Sequence, residues 1–276
     1  MIFRKKKLAL ALDSGSAKGI AHIGVIEKLI SSGYEISAVA GCSMGAVIAA
    51  YYAMGKLELL KEWLLSLDKK STFNTIDFSI GGGFIGGKKL MNAFENHLGN
   101  ASFGDTSVPL YISATNLDEG RERVFSRGEI LPAIRASISI PGIMRPYFYE
   151  NAYYVDGAVT NPLPVDVLLK NNHKNIVAVH LHEYMEQRSS ASAPRVLETA
   201  LRSMDIVSRY LAKAKIGTAM AVITPDTAGF DMFHFYRAKE IMERGEKAAE
   251  DVIDSGALDS AAIKLLNTVK AGFSRS

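Results

Sequence analysis

Apolar positions along the chain fall into short unbroken runs and longer stretches with helical spacing. Leu8 to Leu12 is an unbroken apolar run of strand length, the pattern of a strand buried on both faces. The small-residue loop Asp13 to Gly19 leads into a helical stretch over Ile20 to Leu29, and Ile36 to Ala40 reads as a second buried strand. That strand runs into Gly41 to Gly45 and an alanine-rich helix over Ala46 to Met54. Strand, small-residue turn and helix, repeated, predict a mainly parallel sheet covered by helices on both faces.

A helix is expected over Leu57 to Leu67, and regularity is lost from Thr72 to Gly87. There Phe73, Ile76, Phe78, Ile80, Phe84 and Ile85 stand among glycines, between Lys69-Lys70 and Lys88-Lys89. Two readings stay open: an apolar lid whose lysines meet phosphate head groups, or a connection whose aromatic residues pack on the core. Strands follow at Pro109 to Thr115 and Arg121 to Ser126, a helix at Glu129 to Ser137, and a hairpin at Tyr147 to Tyr154. Ile176 to His182 reads as a buried strand, Met185 to Pro194 as a surface loop, and Ala219 to Thr224 as a last strand. Helices are expected over Arg195 to Ile216 and Tyr236 to Asp254. Neither an internal repeat nor a domain boundary is visible, so residues 1–276 read as one domain, with 165–276 completing a fold whose motifs lie in 8–164.

Composition narrows the function classes. The net charge of +3 comes from 32 basic and 29 acidic residues, too even a balance to point to nucleic acid. It leaves room for peripheral contact with an anionic membrane, for which Ile2-Phe3 and the basic run Arg4 to Lys7 are candidates. The single cysteine, Cys42, excludes an internal disulfide, and no Cys/His spacing builds a zinc site. The apolar run after Arg4 to Lys7 is too short for a signal peptide and ends in Asp13-Ser14-Gly15 without a cleavage pattern. No stretch approaches the ~20 apolar residues of a spanning helix. A cytoplasmic protein is expected.

The chemistry centres on Gly41-Cys42-Ser43-Met44-Gly45, which has the form Gly-x-Ser-x-Gly between a strand and a helix. Such a turn exposes a serine nucleophile, and side chains at either glycine would strike neighbouring backbone. The following helix directs its positive end at the reacting centre. Cys42 is expected to pack behind the turn. Asp13-Ser14-Gly15-Ser16-Ala17-Lys18-Gly19 offers converging backbone N–H groups for an anion at a helix start. Neither the Gly-x-Gly-x-x-Gly nor the Walker spacing is present, so an oxyanion loop fits better than a nucleotide loop. For the base, none of the six histidines sits in a motif, and His22, His97, His180 and His182 read as packing residues. Asp156-Gly157-Ala158 puts a carboxylate in a tight turn after the hairpin.

Four ordered blocks resemble the patatin-like phospholipase family. They are Asp13 to Gly19 with His22 to Val25; Gly41 to Gly45; Ala136 to Pro141 with Pro146; and Asp156 to Val159 with Asn161 and Pro164. The resemblance implies a three-layer α/β/α sandwich and a Ser-Asp dyad in place of a triad. It makes Ser43 the nucleophile and Asp156 the base. Gly15, Ser16 and Ala17 would supply oxyanion donors, and Lys18, Gly19, Gly41, Gly45 and Gly157 would support the motifs. Ser14, Ser16 and Lys18 depart from the Gly-Gly-Gly run and arginine common in the family. The implied activity is hydrolysis of lipid carboxylic esters through an acyl-enzyme, with no metal or cofactor. Rival readings are an acyltransferase, a regulatory protein retaining the dyad, and an α/β-hydrolase using a histidine.

Overall fold

The structure, a computed structural model, describes residues 6–75, 87–181, 193 and 195–259. Among the described residues, eight strands form one sheet: β1 (Lys6–Leu12), β2 (Tyr34–Cys42), β3 (Leu110–Asn116), β4 (Arg121–Phe125), β5 (Tyr147–Tyr149), β6 (Ala152–Asp156), β7 (Ile176–Val179) and β8 (Ala221–Ile223). The run β3-β2-β1-β7-β8 is parallel, whereas β4 and β6 pair antiparallel with β3, and β5 with β6. The helices are α1 (Ala21–Ser31), α2 (Met44–Ala53), α3 (Leu57–Leu65), α4 (Lys69–Thr75), α5 (Lys88–Leu98), α6 (Ile130–Ser137), α7 (Val165–Lys170), α8 (Val196–Ile216) and α9 (Ala238–Asp254).

Residue alternation on the central strands explains the layering. Leu8, Leu10 and Leu12 of β1 and Val177 and Val179 of β7 face a large core with residues of α1, α2, α3, α5, α6 and α9. Ala9 and Ala11, with Ala38 and Ala40 of β2, face a thinner core closed by Leu168 of α7 and Ala212 of α8. Small residues on that second face let its helices lie close. On the first face, α1 and α9 touch through reciprocal glycines. A Cβ on Gly24 would stand 2.0 Å from Met242 O, and one on Gly245 would stand 1.9 Å from Ala21 O.

One detail of pairing determines the site. β4 covers Ile112 to Asn116 along one edge of β3. Both β2 and β6 must therefore use the other edge, β2 against Leu110 to Ser113 and β6 against Ala114 to Asn116. The two strands run toward each other and stop at adjacent β3 residues, Cys42 opposite Ser113 and Asp156 opposite Ala114. The residues that leave their ends are brought face to face.

The expected strands and helices are present with shifted ends. The helix expected from Ile20 begins as a 3-10 turn over Ser16–Ile20, and the strand expected to His182 ends at Val179. Helices α4 and α7 were not among the assigned elements, and α4 takes in Thr72 to Thr75 of the stretch expected to be irregular; α5 is the surface helix expected to end near His97. The run Arg4 to Lys7 is described only from Lys6, and the central part of the lid candidate, 76–86, lies outside the described residues, as do 182–192 of the expected strand end and loop. No helix among the described residues is long and apolar enough to cross a membrane.

Candidate active site

Ser43 occupies a single-residue turn between the end of β2 at Cys42 and the start of α2 at Met44. Its backbone is strained, with φ 53° and ψ −122°, a region that side chains rarely adopt. Its neighbours make the turn sterically possible. A Cβ on Gly41 would stand 2.2 Å from Gly45 O, and one on Gly45 2.4 Å from Leu12 O, so both flanks require glycine. A hydrogen bond holds the turn in place: Ser43 N donates to Ser137 Oγ at 2.8 Å, and Ser137 Oγ donates to Ser113 O at 2.7 Å. Ser137, the last residue of α6, thereby ties the turn to β3.

Ser43 Oγ donates to Asp156 Oδ2 at 2.6 Å. Both side chains are buried, and the carboxylate is fixed from several sides. Ala158 N donates to Asp156 Oδ1 at 2.9 Å. Asp156 N donates to Ser139 O at 2.9 Å, and Thr115 Oγ1 donates to Asp156 O at 3.0 Å. Gly157 allows the chain to leave β6 under β3, since a Cβ there would come within 2.3 Å of Ser113 O. The carboxylate thus keeps one oxygen for Ser43 while the other is engaged by its own turn.

Cys42 is buried and directs its thiol to Asp156 Oδ1 at 3.7 Å. Burial, reinforced by the negative charge of Asp156, pushes this thiol well above its ordinary pKa. It therefore stays protonated at neutral pH, a poor nucleophile beneath the serine.

The loop Asp13 to Gly19 begins where β1 ends and enters the 3-10 turn Ser16–Ile20, whose first N–H groups lie ahead of any intrahelical acceptor. Ser16 adopts a left-handed φ of 46°. The start of the loop is clamped. Asp13 Oδ2 accepts from His180 Nδ1 at 2.8 Å and from Leu181 N at 3.1 Å, and Asp13 O lies 2.8 Å from His22 Nε2. Ser14 N donates to Pro162 O at 3.0 Å. Two histidines read from sequence as packing residues are indeed buried, and both bond the aspartate that opens this loop. Lys18 is half-buried on the 3-10 turn, and Gly19 lies against Met44, whose Cγ would be 2.5 Å from a Cβ there. Neither joins the hydrogen bonds around Ser43.

Above Ser43 opens a largely apolar cleft. Ser16 and Ser43 are its polar lining; Met44, Val47, Leu64, Phe94, Ile140 and Phe233 are among its apolar walls. The sequence reading singled out Ser43, Asp156 and the loop, and the structure brings Ser43 and Asp156 into direct contact, with Ser16 on the same cleft. It missed Ser137, Ser113 and the Asp13–His180 pair. The block Ala136 to Pro141 was the available signal for Ser137, though nothing in it assigns that serine a partner. Among the described residues, no group of three or more His, Cys, Asp or Glu side chains is placed to hold a metal ion.

The model of the patatin-like phospholipase family matches residues 10–169. That span covers more than half the chain and contains the strained turn, the loop and the Asp156 turn. The chain belongs to the patatin-like phospholipase family. An uncharacterized NTE family protein of Mycobacterium tuberculosis is 37% identical over 177 residues, 64% of this chain and 49% of that protein. A second such protein of that species is 23% identical over 277 residues, covering 91% and 47%. Lysophospholipase NTE1 of Cryptococcus neoformans is 27% identical over 188 residues, 63% of this chain and 11% of the fungal protein. The chain thus spans at most about half the length of these relatives. Among solved structures, VipD from Legionella pneumophila matches with a TM-score of 0.50 at 13% identity, over 91% of this chain and 67% of that one. This last likeness is one of fold, and it agrees with the expected α/β/α sandwich.

Proposed function

We propose that this patatin-like chain is a serine hydrolase of lipid carboxylic esters that works through a Ser43–Asp156 dyad. The observation that carries the reading is the 2.6 Å hydrogen bond from Ser43 Oγ to Asp156 Oδ2 at the floor of an apolar cleft. The fungal relative named a lysophospholipase supports the same substrate class.

In the first half-reaction, Asp156 Oδ2 takes the Ser43 proton as Oγ bonds to the ester carbonyl carbon. The carbonyl π electrons move to oxygen, and backbone N–H groups of Gly15, Ser16 and Ala17 receive the oxyanion, each worth roughly 3 kcal/mol. Collapse breaks the bond to the alcohol, which takes the proton back from Asp156 and leaves an acyl group on Ser43. In the second half, Asp156 deprotonates a water that attacks this acyl group; the fatty acid departs and Ser43 Oγ recovers its proton. Ala158 N holds the carboxylate in the orientation both halves need.

Acyl transfer to an alcohol would use the same acyl-enzyme. The site offers no histidine beside the nucleophile, where Cys42 stands, and this favours water as the acceptor. Hydrolysis of p-nitrophenyl esters of increasing chain length and of lysophosphatidylcholine tests the reading. Both activities are expected in the wild type and should be lost in Ser43→Ala and Asp156→Asn, with variants of His97, His173 and His234 retaining turnover. Full turnover in Asp156→Asn would remove the dyad.

A further inference from the structure

The outward face of α8 is apolar but for one serine. Val196, Ala200, Ser203, Val207, Tyr210 and Ala214 are all exposed and recur every three or four residues, one stripe along the helix. Val196 is 89% exposed and Tyr210 73%, values that large side chains seldom show on a helix without a partner. The opposite face is anchored. Ser208 and Ala212 are buried, Ser208 Oγ donates to Ala158 O at 3.1 Å, and Lys215 Nζ pairs with Asp166 Oδ2 at 2.9 Å.

Position and charge suggest what meets this face. The first turn of α8 abuts the rim of the cleft, for a Cβ on Gly142 would come within 2.8 Å of Leu197 Cδ1. Ile140, Ile143 and Met144, on either side of Gly142, line the cleft itself. Leaving out Lys215, which pairs with Asp166 on the anchored face, the segment from Arg195 to Ile216 carries four basic residues (Arg195, Arg202, Arg209, Lys213) and two acidic ones (Glu198, Asp205), a net +2. Two such helices packed face to face would set basic flanks against each other, whereas a negatively charged surface complements them. An apolar stripe with basic flanks and an exposed tyrosine is the pattern of a helix lying in a membrane interface.

We infer that α8 is a docking surface for an anionic lipid bilayer, its first turn lying at the rim of the cleft. This rests on the hydrolase reading for its purpose, though not for its physical basis. Ser208 links the docked helix to the turn after Asp156 through its hydrogen bond to Ala158 O.

Flotation with vesicles of phosphatidylcholine alone, or mixed with phosphatidylglycerol, tests it. Wild-type protein should float with the mixed vesicles, less so at high salt, and little with phosphatidylcholine alone. The double variant Val207→Asp/Tyr210→Asp should lower the bound fraction by about tenfold or more, while hydrolysing a short soluble ester at the wild-type rate. Should that variant fail to fold, Arg209→Gln/Lys213→Gln should weaken binding and flatten its salt dependence. Ser43→Ala should bind as wild type does, so docking is measured even if the hydrolase reading fails. The inference is overturned if wild type binds neither vesicle, or if the variants float unchanged. It is also overturned if light scattering shows a dimer that the double variant dissociates with no change in vesicle binding, the result for a second copy on this face.

Discussion

Ser43 sits between two unlike walls. Beneath it lies a polar seam in which Ser137, Ser113, Ser139, Thr115 and Asp156 are joined by hydrogen bonds of 2.7 to 3.0 Å. Above it lies a cleft walled by leucine, valine, isoleucine, methionine and aromatic side chains. The seam is directional, and each bond fixes a reacting atom or the strand end that carries it. The cleft works by area and shape, which many combinations of apolar residues can supply. Damage to the seam should therefore act on turnover or folding as a step, and damage to the cleft on substrate preference as a gradient.

The largest effect should come from the glycines that let the seam close. A Cβ on Gly45 would lie 2.4 Å from Leu12 O and 2.5 Å from Asp13 O, two backbone atoms with nowhere to go. Gly45→Ala is expected to cost on the order of 3 kcal/mol or more, read as a fall in thermal midpoint with loss of activity. A wild-type melting curve would show that the turn is not under this constraint.

Within the seam, Ser137→Ala leaves Ser43 N without its acceptor. The expected penalty is about 1–3 kcal/mol for the stranded donor, with kcat down by roughly tenfold or more and KM nearly unchanged. An equal rise in KM would instead assign Ser137 to substrate binding.

The cleft should answer differently. Leu90 is another of its walls; Leu90→Trp fills part of the cleft and should reduce kcat/KM for long-chain esters by about tenfold while leaving acetyl esters within about twofold. A uniform loss across chain lengths would contradict the contrast between the walls.

The smallest effect concerns the α7–α8 link on the far side of the sheet. Burial pulls the Asp166 carboxyl upward, but Lys215, Lys170 and Asn161 outweigh it and hold it at about 2. Because the folded value is depressed, the stabilisation is present above an unfolded value near ~4 and is lost as pH falls toward 2. Asp166 is partly solvated, so the contribution is modest. Asp166→Asn should flatten the acid limb of a stability-versus-pH curve between about pH 4 and 2, and an unchanged limb would dismiss the link.

Much of the seam was legible where it is local. Gly41, Gly45 and Gly157 announce tight turns, and the first strand, loop and helix follow from apolar runs broken by small residues. The contact between Ser43 and Asp156 is of another kind. It depends on β2 and β6, segments over a hundred residues apart, sharing one edge of β3, an arrangement that periodicity does not encode. Only the family resemblance joined them. His180 was similarly opaque: alternation along a strand tells which face a side chain takes, and it cannot reveal that Asp13 waits there. Helices α4 and α7 were missed because both are short, one running into a glycine-rich stretch and the other a short piece behind Pro164.

The central claim is that Asp156 activates Ser43. Its most direct test is the rate at which a p-nitrophenyl ester acylates the protein, followed by mass spectrometry of the intact chain and of the peptide bearing Ser43. The account predicts an acyl adduct on Ser43 in the wild type that forms roughly a thousandfold more slowly in folded Asp156→Asn. Equal rates in the two proteins, or an adduct carried by Cys42 or a histidine, would contradict it.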